Sequence, residues 1–183
     1  KKLDISNEIE FDEIESQDKS YFSAIDKGNI IHKFCEIYES NMDKKELITK
    51  ISKEYSVELS NGSYNELEPY INNYVNYLQF KEYDEVYKEK PFYIATDNSY
   101  ISGIIDRINI VDNEIEIIDI KTNRLVEKDN LINYYKPQLL FYAYAVEKVL
   151  GKKVNKASIL FLESGEEVDI DISKESMNKV IKA

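Results

Sequence analysis

Two aspartates and a lysine stand where a folded chain holds charge least easily. In GIIDRINIVDNEIEIIDIKTNR, residues 103–124, Asp106 follows one isoleucine-rich run, and Asp119 and Lys121 close the next. Both runs have the β-branched, apolar composition of buried strand. A charge buried there costs stability unless it is paired, hydrogen-bonded or bound to a metal. Asp112 and Asn113 are turn formers, so the runs read as an antiparallel hairpin. Side chains alternate across a strand, which gives Asp119 and Lys121 one face and sets Asp106 opposite a residue near Asp119. Paired carboxylates repel, and a hard divalent cation such as Mg2+ relieves the repulsion. The lysine then faces a bound water or a phosphate oxygen. The duller reading of Lys121, a salt-bridge partner for Asp119, is a costly arrangement inside a strand.

Elements on both sides must position this hairpin. Residues 1–22 are acidic and weakly periodic, a lead-in segment or an edge piece. Over residues 23–40, Ile30, Ile31, Phe34, Ile37 and Tyr38 recur at helical spacing, with Asp26 near the start. Residues 41–90 read as a helical insertion: a charged helix over 43–60, a turn-rich break at SNGSYNELEPY (60–70), and a Tyr-rich helix to about Phe80. After Pro91 two strands follow, joined around residues 97–99, and the hairpin extends them into a meander. Residues 131–150 predict a long helix, with Pro137 in its first turn or kinking it, and Gly151 ending it. KASILFLESGEEVDIDIS is a strand–turn–strand, and a short helix follows. The order predicts an α/β fold, a mixed sheet flanked by helices.

The 183 residues predict one domain, 1–183, and the 43% hydrophobic content suits a folded core. A net charge of −11 argues against gripping nucleic acid by bulk electrostatics. Contacts to a polyanion must then be local, metal-assisted or supplied by a partner. The only arginines, Arg107 and Arg124, lie in the hairpin stretch; they read either as phosphate ligands or as solvated surface residues. Cys35 is the single cysteine, which excludes an internal disulfide and a four-cysteine metal site within this chain. No apolar run has the length of a membrane span and no secretory signal opens the chain, so a cytoplasmic location is the default expectation. The sequence starts at Lys1 without methionine and is expected to be a piece of a larger protein.

"GIID", twelve residues and "DIK" together resemble the signature of PD-(D/E)xK nucleases. Three other stretches resemble motifs of the RecB-like branch, the nuclease module of AddA-type helicase–nucleases: GNIIH (28–32), EKPF (89–92) and YKPQLLFYA (135–143). The resemblance runs from about Gly28 to Ala145, although residues 40–88 match nothing specific and the proline of the family name is absent. It implies a restriction-endonuclease-like mixed β-sheet core flanked by helices. It also implies a metal-dependent DNA nuclease of exonuclease type, acting in DNA-end processing or recombinational repair on single strands or duplex ends. His32, Asp106, Asp119 and the backbone carbonyl of Ile120 would hold Mg2+ or Mn2+, with Glu89 for a second metal or a metal-bound water. Lys121 would act as base or as electrostatic stabiliser. Gln138 joins the catalytic group, and Arg124, Tyr135 and Tyr142 would position DNA. The cysteines that hold an iron–sulfur cluster in some relatives are missing, so no cluster is expected. A helicase domain or subunit is the expected partner. The alternative is a catalytically silent nuclease-fold module that guides DNA or contacts other subunits in a helicase complex.

Overall fold

The computed structural model describes residues 2–4, 20–95 and 100–181. Its elements run β1 (Lys2–Asp4), α1 (Ala24–Ile37), α2 (Lys44–Glu54), α3 (Asn61–Leu78), β2 (Glu85–Ala95), β3 (Tyr100–Val111), β4 (Glu114–Lys121), α4 (Lys128–Leu150), β5 (Lys156–Phe161), β6 (Glu166–Asp169) and α5 (Lys174–Ile181). The sheet follows the path β1-β3-β4-β5-β6, with β2 also paired to β3. The β1–β3 and β4–β5 pairs are parallel and the others antiparallel, so the sheet is mixed. The turn expected around residues 97–99 lies outside the described residues, as does most of the lead-in.

Two cores sandwich the sheet. One lies between it and α4 and α5, and includes Ile115, Ile117, Leu139 and Phe161. The other lies between it and α1 to α3, and includes Ile118, Ile120, Phe34 and Tyr74. Strand β4 therefore buries both faces, which is why it reads as an almost unbroken apolar run rather than an alternating one. Asp112 and Asn113 both take positive φ, 50° and 65°, as the tight hairpin turn requires.

One sequence expectation fails here. The stretch SNGSYNELEPY is the start of α3 rather than a break before it. Ser60 and Ser63 exchange hydrogen bonds as a capping box, 2.8 Å from Ser60 N to Ser63 Oγ and 3.2 Å from Ser63 N to Ser60 Oγ. The turn-like residues are thus the helix's own start signal. Pro69 lies inside α3 and Pro137 well inside α4, beyond the first turn. Burial of Leu67, Ile71 and Tyr74 against the sheet outweighs the hydrogen bond Pro69 cannot donate.

The hairpin of β2 and β3 carries the irregularity on which the site depends. Ile105 and Ile108 belong to the same core although three positions apart, and Tyr87 and Phe92 meet it although five apart. Strict alternation would place each pair on opposite faces. The pleat therefore shifts by one residue on both strands, where Glu89 takes φ +48°. The shift turns Lys88 and Glu89 of β2, and Asp106 and Arg107 of β3, together toward α1 and α3.

Candidate active site

Helix α1 begins at Ser23, whose side chain caps Asp26 N, and buries Ile30, Ile31 and Phe34. Its register brings His32 over the shifted pleat, with Nδ1 3.5 Å from Asp106 Oδ1. One ligand atom from each of His32, Glu89 and Asp106 lies within 4.8 Å of the others. These residues come from a helix and two strands, so the group is a product of the tertiary fold.

The ladder between β3 and β4 has Arg107 opposite Ile118 as its last pair on this side. The next register position would pair Asp106 with Asp119. Instead, Asp106 Oδ2 accepts the Ile120 N–H at 2.6 Å, so a carboxylate takes the place of a strand carbonyl. In a strand, the N–H and C=O of one residue point to the same edge. The Ile120 carbonyl therefore points into the same fork, while the Lys121 carbonyl on the opposite edge accepts Leu162 N at 2.9 Å.

Asp119 and Lys121 share the face of Ile115 and Ile117, toward α4. Lys121 Nζ lies 3.2 Å from Asp119 Oδ2, and both side chains are almost wholly buried. It also lies 3.4 Å from Gln138 Oε1 and 4.4 Å from the centre of the Tyr135 ring. The Tyr135 hydroxyl donates to Asn123 Oδ1 at 2.9 Å, which fixes the ring. The contact to Asp119 Oδ2 has the distance of an ion pair but not the alignment of a hydrogen bond, and that buried oxygen has no hydrogen-bond donor among the described residues.

Burial and repulsion by Asp106 push the Glu89 carboxyl up to about 7, against the pull of His32. Burial likewise raises Asp119 above the usual carboxylate range, opposed by Lys121 and helped by Asp106. Burial pushes Asp106 upward too, but His32, Lys121 and the Ile120 N–H outweigh it and hold that carboxyl low. The site thus crowds three carboxyls into a buried setting that opposes their charged forms. An imidazole, two carboxylates and an orphaned carboxylate oxygen nearby fit a hard divalent cation.

The structure thus brings His32, Glu89 and Asp106 into one group and Asp119, Lys121, Gln138 and Tyr135 into another beside it. The remaining candidates stand apart. Tyr142 is buried, with its ring 5.6 Å from Phe92 in an edge-on contact. Arg124 is mostly exposed, its Nε 3.5 Å from Glu163 Oε1. Arg107 is neither surface residue nor open to phosphate: it is 4% exposed and donates to Asn109 Oδ1 and the Tyr74 hydroxyl. Its interior role depends on the pleat shift, which leaves no mark in the local sequence.

The profile of the PD-(D/E)XK nuclease superfamily matches residues 9–180. The chain is also similar to the ATP-dependent helicase/nuclease subunits of two organisms. Identity is 26% over 158 residues with that of Ligilactobacillus salivarius, covering 79% of this chain and 12% of that protein. It is 28% over 166 residues with that of Clostridium botulinum, covering 76% and 13%. The chain therefore spans only a small part of the length of the curated relatives it matches. Among the described residues no helix is long and apolar enough to cross a membrane. The superfamily profile runs from ahead of α1 into α5, through every strand and helix that builds the site. The chain belongs to the PD-(D/E)XK nuclease superfamily.

Proposed function

We propose that residues 1–183 form one metal-dependent deoxyribonuclease domain of a larger helicase–nuclease, hydrolysing phosphodiester bonds from DNA ends in end processing or recombinational repair. The observation that carries this reading is the His32, Glu89 and Asp106 group set beside the buried Asp119–Lys121 pair. His32, Asp106 and Glu89 would hold Mg2+ or Mn2+, and Asp119 and the Ile120 carbonyl are further ligands for it. The direction of the Ile120 carbonyl and the orphaned Asp119 oxygen support both additions. Bound there, a divalent ion would supply the positive charge that activates water and polarises the scissile phosphate.

The protein's own groups do the rest. Lys121 is surrounded by a carboxylate, an amide oxygen and an aromatic face, partners that suit an ammonium. We read it as an electrostatic stabiliser, which offsets charge that develops on the phosphate. Gln138 and Tyr135 orient the ammonium, and Arg124, exposed and apart from this group, would contact a DNA phosphate. The relatives' name, a helicase/nuclease subunit, supplies the helicase partner of this proposal, and DNA as the substrate follows from the resemblance of the motifs to helicase–nucleases.

With a net charge of −11, the chain has little counterion release to gain from DNA. It should bind a labelled single-stranded oligonucleotide weakly yet shorten it slowly in Mn2+ or Mg2+, and faster when tethered to a DNA-binding partner. Stepwise loss of nucleotides from an end supports exonuclease action. Tight binding without metal-dependent cleavage by the folded chain would overturn the proposal in favour of a silent DNA-guiding module.

A further inference from the structure

The two acidic residues of the metal group each have a basic neighbour, and the register places these neighbours together. Lys88 pairs with Arg107 across β2 and β3, one step from Glu89 and Asp106. Lys88 reaches the C-terminal end of α1, the helix that carries His32, directly, and Arg107 reaches it through Tyr74. Lys88 Nζ donates to the Tyr38 carbonyl at 3.0 Å and is held by Glu39 Oε1 at 2.7 Å. Arg107 Nη1 donates to the Tyr74 hydroxyl at 3.0 Å, and that hydroxyl donates to the Cys35 carbonyl at 3.0 Å. Arg107 Nε is fixed by Asn109 Oδ1 at 2.7 Å, and Asn109 Nδ2 by Glu116 Oε2 at 3.0 Å.

The carbonyls that end a helix have no partner within it. Here Phe34 O accepts Tyr38 N at 2.8 Å, while the Cys35 and Tyr38 carbonyls are met by the side chains just named. Positive charge also favours this end of the helix macrodipole. The last turn of α1 is thereby tied to the strand residues that flank the two acids, and His32 lies one turn back.

We propose that Lys88, Arg107 and Tyr74 form a clamp of positioning residues that sets His32 at its working distance from Glu89 and Asp106. The clamp rests on the reading of His32, Glu89 and Asp106 as the metal ligands. It has a consequence opposite in sign to simple electrostatics. Removing a cation beside a dication site strengthens dication binding if charge alone matters. Removing part of the clamp weakens it, because the ligands lose their fixed spacing.

The test is Mn2+ binding to the 183-residue chain by calorimetry, paired with NMR of the imidazole signals of His32, the only histidine. Wild-type chain should bind Mn2+ with broadening of those signals. Lys88→Met and the charge-neutral Tyr74→Phe should each weaken affinity about tenfold, the lower end for residues that support a metal ligand. Ile48→Val, a core change in α2, lowers the melting temperature without touching the clamp and should leave affinity unchanged. Equal or tighter binding by folded Lys88→Met and Tyr74→Phe would overturn the clamp and leave the metal reading standing. Wild-type binding that spares the His32 signals would overturn the metal reading, and the clamp with it.

Discussion

Lys121→Ala loses DNA cleavage by about 10²–10³-fold, the range for removing one group that stabilises charge in a transition state, and keeps its metal. The separation follows from the two groups of residues: Lys121 contacts Asp119, Gln138 and Tyr135, while His32, Glu89 and Asp106 form the close ligand group. Truncation also leaves Asp119 buried without its ammonium, a loss that costs about 3–5 kcal/mol in a buried pair. Lys121→Met therefore accompanies it, since the longer side chain keeps contact with the Tyr135 ring. Single-turnover cleavage, Mn2+ affinity and circular dichroism of both variants decide the matter. Retained cleavage in a folded Lys121 variant would remove this residue from the chemistry.

The metal-free chain grows less stable as pH rises through neutrality, and divalent metal reverses the trend. Glu89 is raised from 4.5 to about 7, and Asp119 is raised from 3.8. A carboxyl with a raised folded-state pKa favours the fold below its unfolded pKa and loses that contribution as pH rises through the folded value. Asp106, held low, acts oppositely: its contribution is present above 3.8 and is lost as pH falls through its lowered folded value. Between about pH 5 and about pH 8 the raised pair dominates, so the melting temperature should fall across this window. Mn2+ should restore it increasingly at the alkaline end, by about 2.7 kcal/mol at a hundredfold excess over the dissociation constant. Glu89→Gln should flatten the metal-free slope, and Asp119→Ala should weaken the response to metal. Calorimetric melts at the two pH values check both. A metal response unchanged in Asp119→Ala would remove Asp119 from the ligand set.

The local parts of this architecture are legible in the sequence because each is fixed by neighbours along the chain. Two positive-φ turn formers at 112–113 set the hairpin register, which places Asp106 beside Asp119 in order even though the ladder stops one pair short. Helical periodicity locates α1 and α4 to within a few residues. The start of α3 reads wrongly as a break because serines, asparagine and glycine serve turns and helix caps alike, and only the Ser60–Ser63 exchange distinguishes them. Composition likewise leaves Arg107 as phosphate ligand or surface residue. Nothing in the sequence marks the one-residue pleat shift that turns it inward beside Asp106. The same shift brings Glu89 against His32 and Asp106, so the tightness of that group is beyond any reading of spacing alone.

Anomalous diffraction from crystals of the chain soaked in Mn2+ tests the central claim most directly. The account predicts one strong manganese peak in contact with His32, Glu89 and Asp106, at the fork between β3 and β4, and its loss in Asp106→Asn. A peak confined to other acidic clusters, such as Glu116 and Glu167 around Lys156, or an undiminished peak in Asp106→Asn, would contradict it.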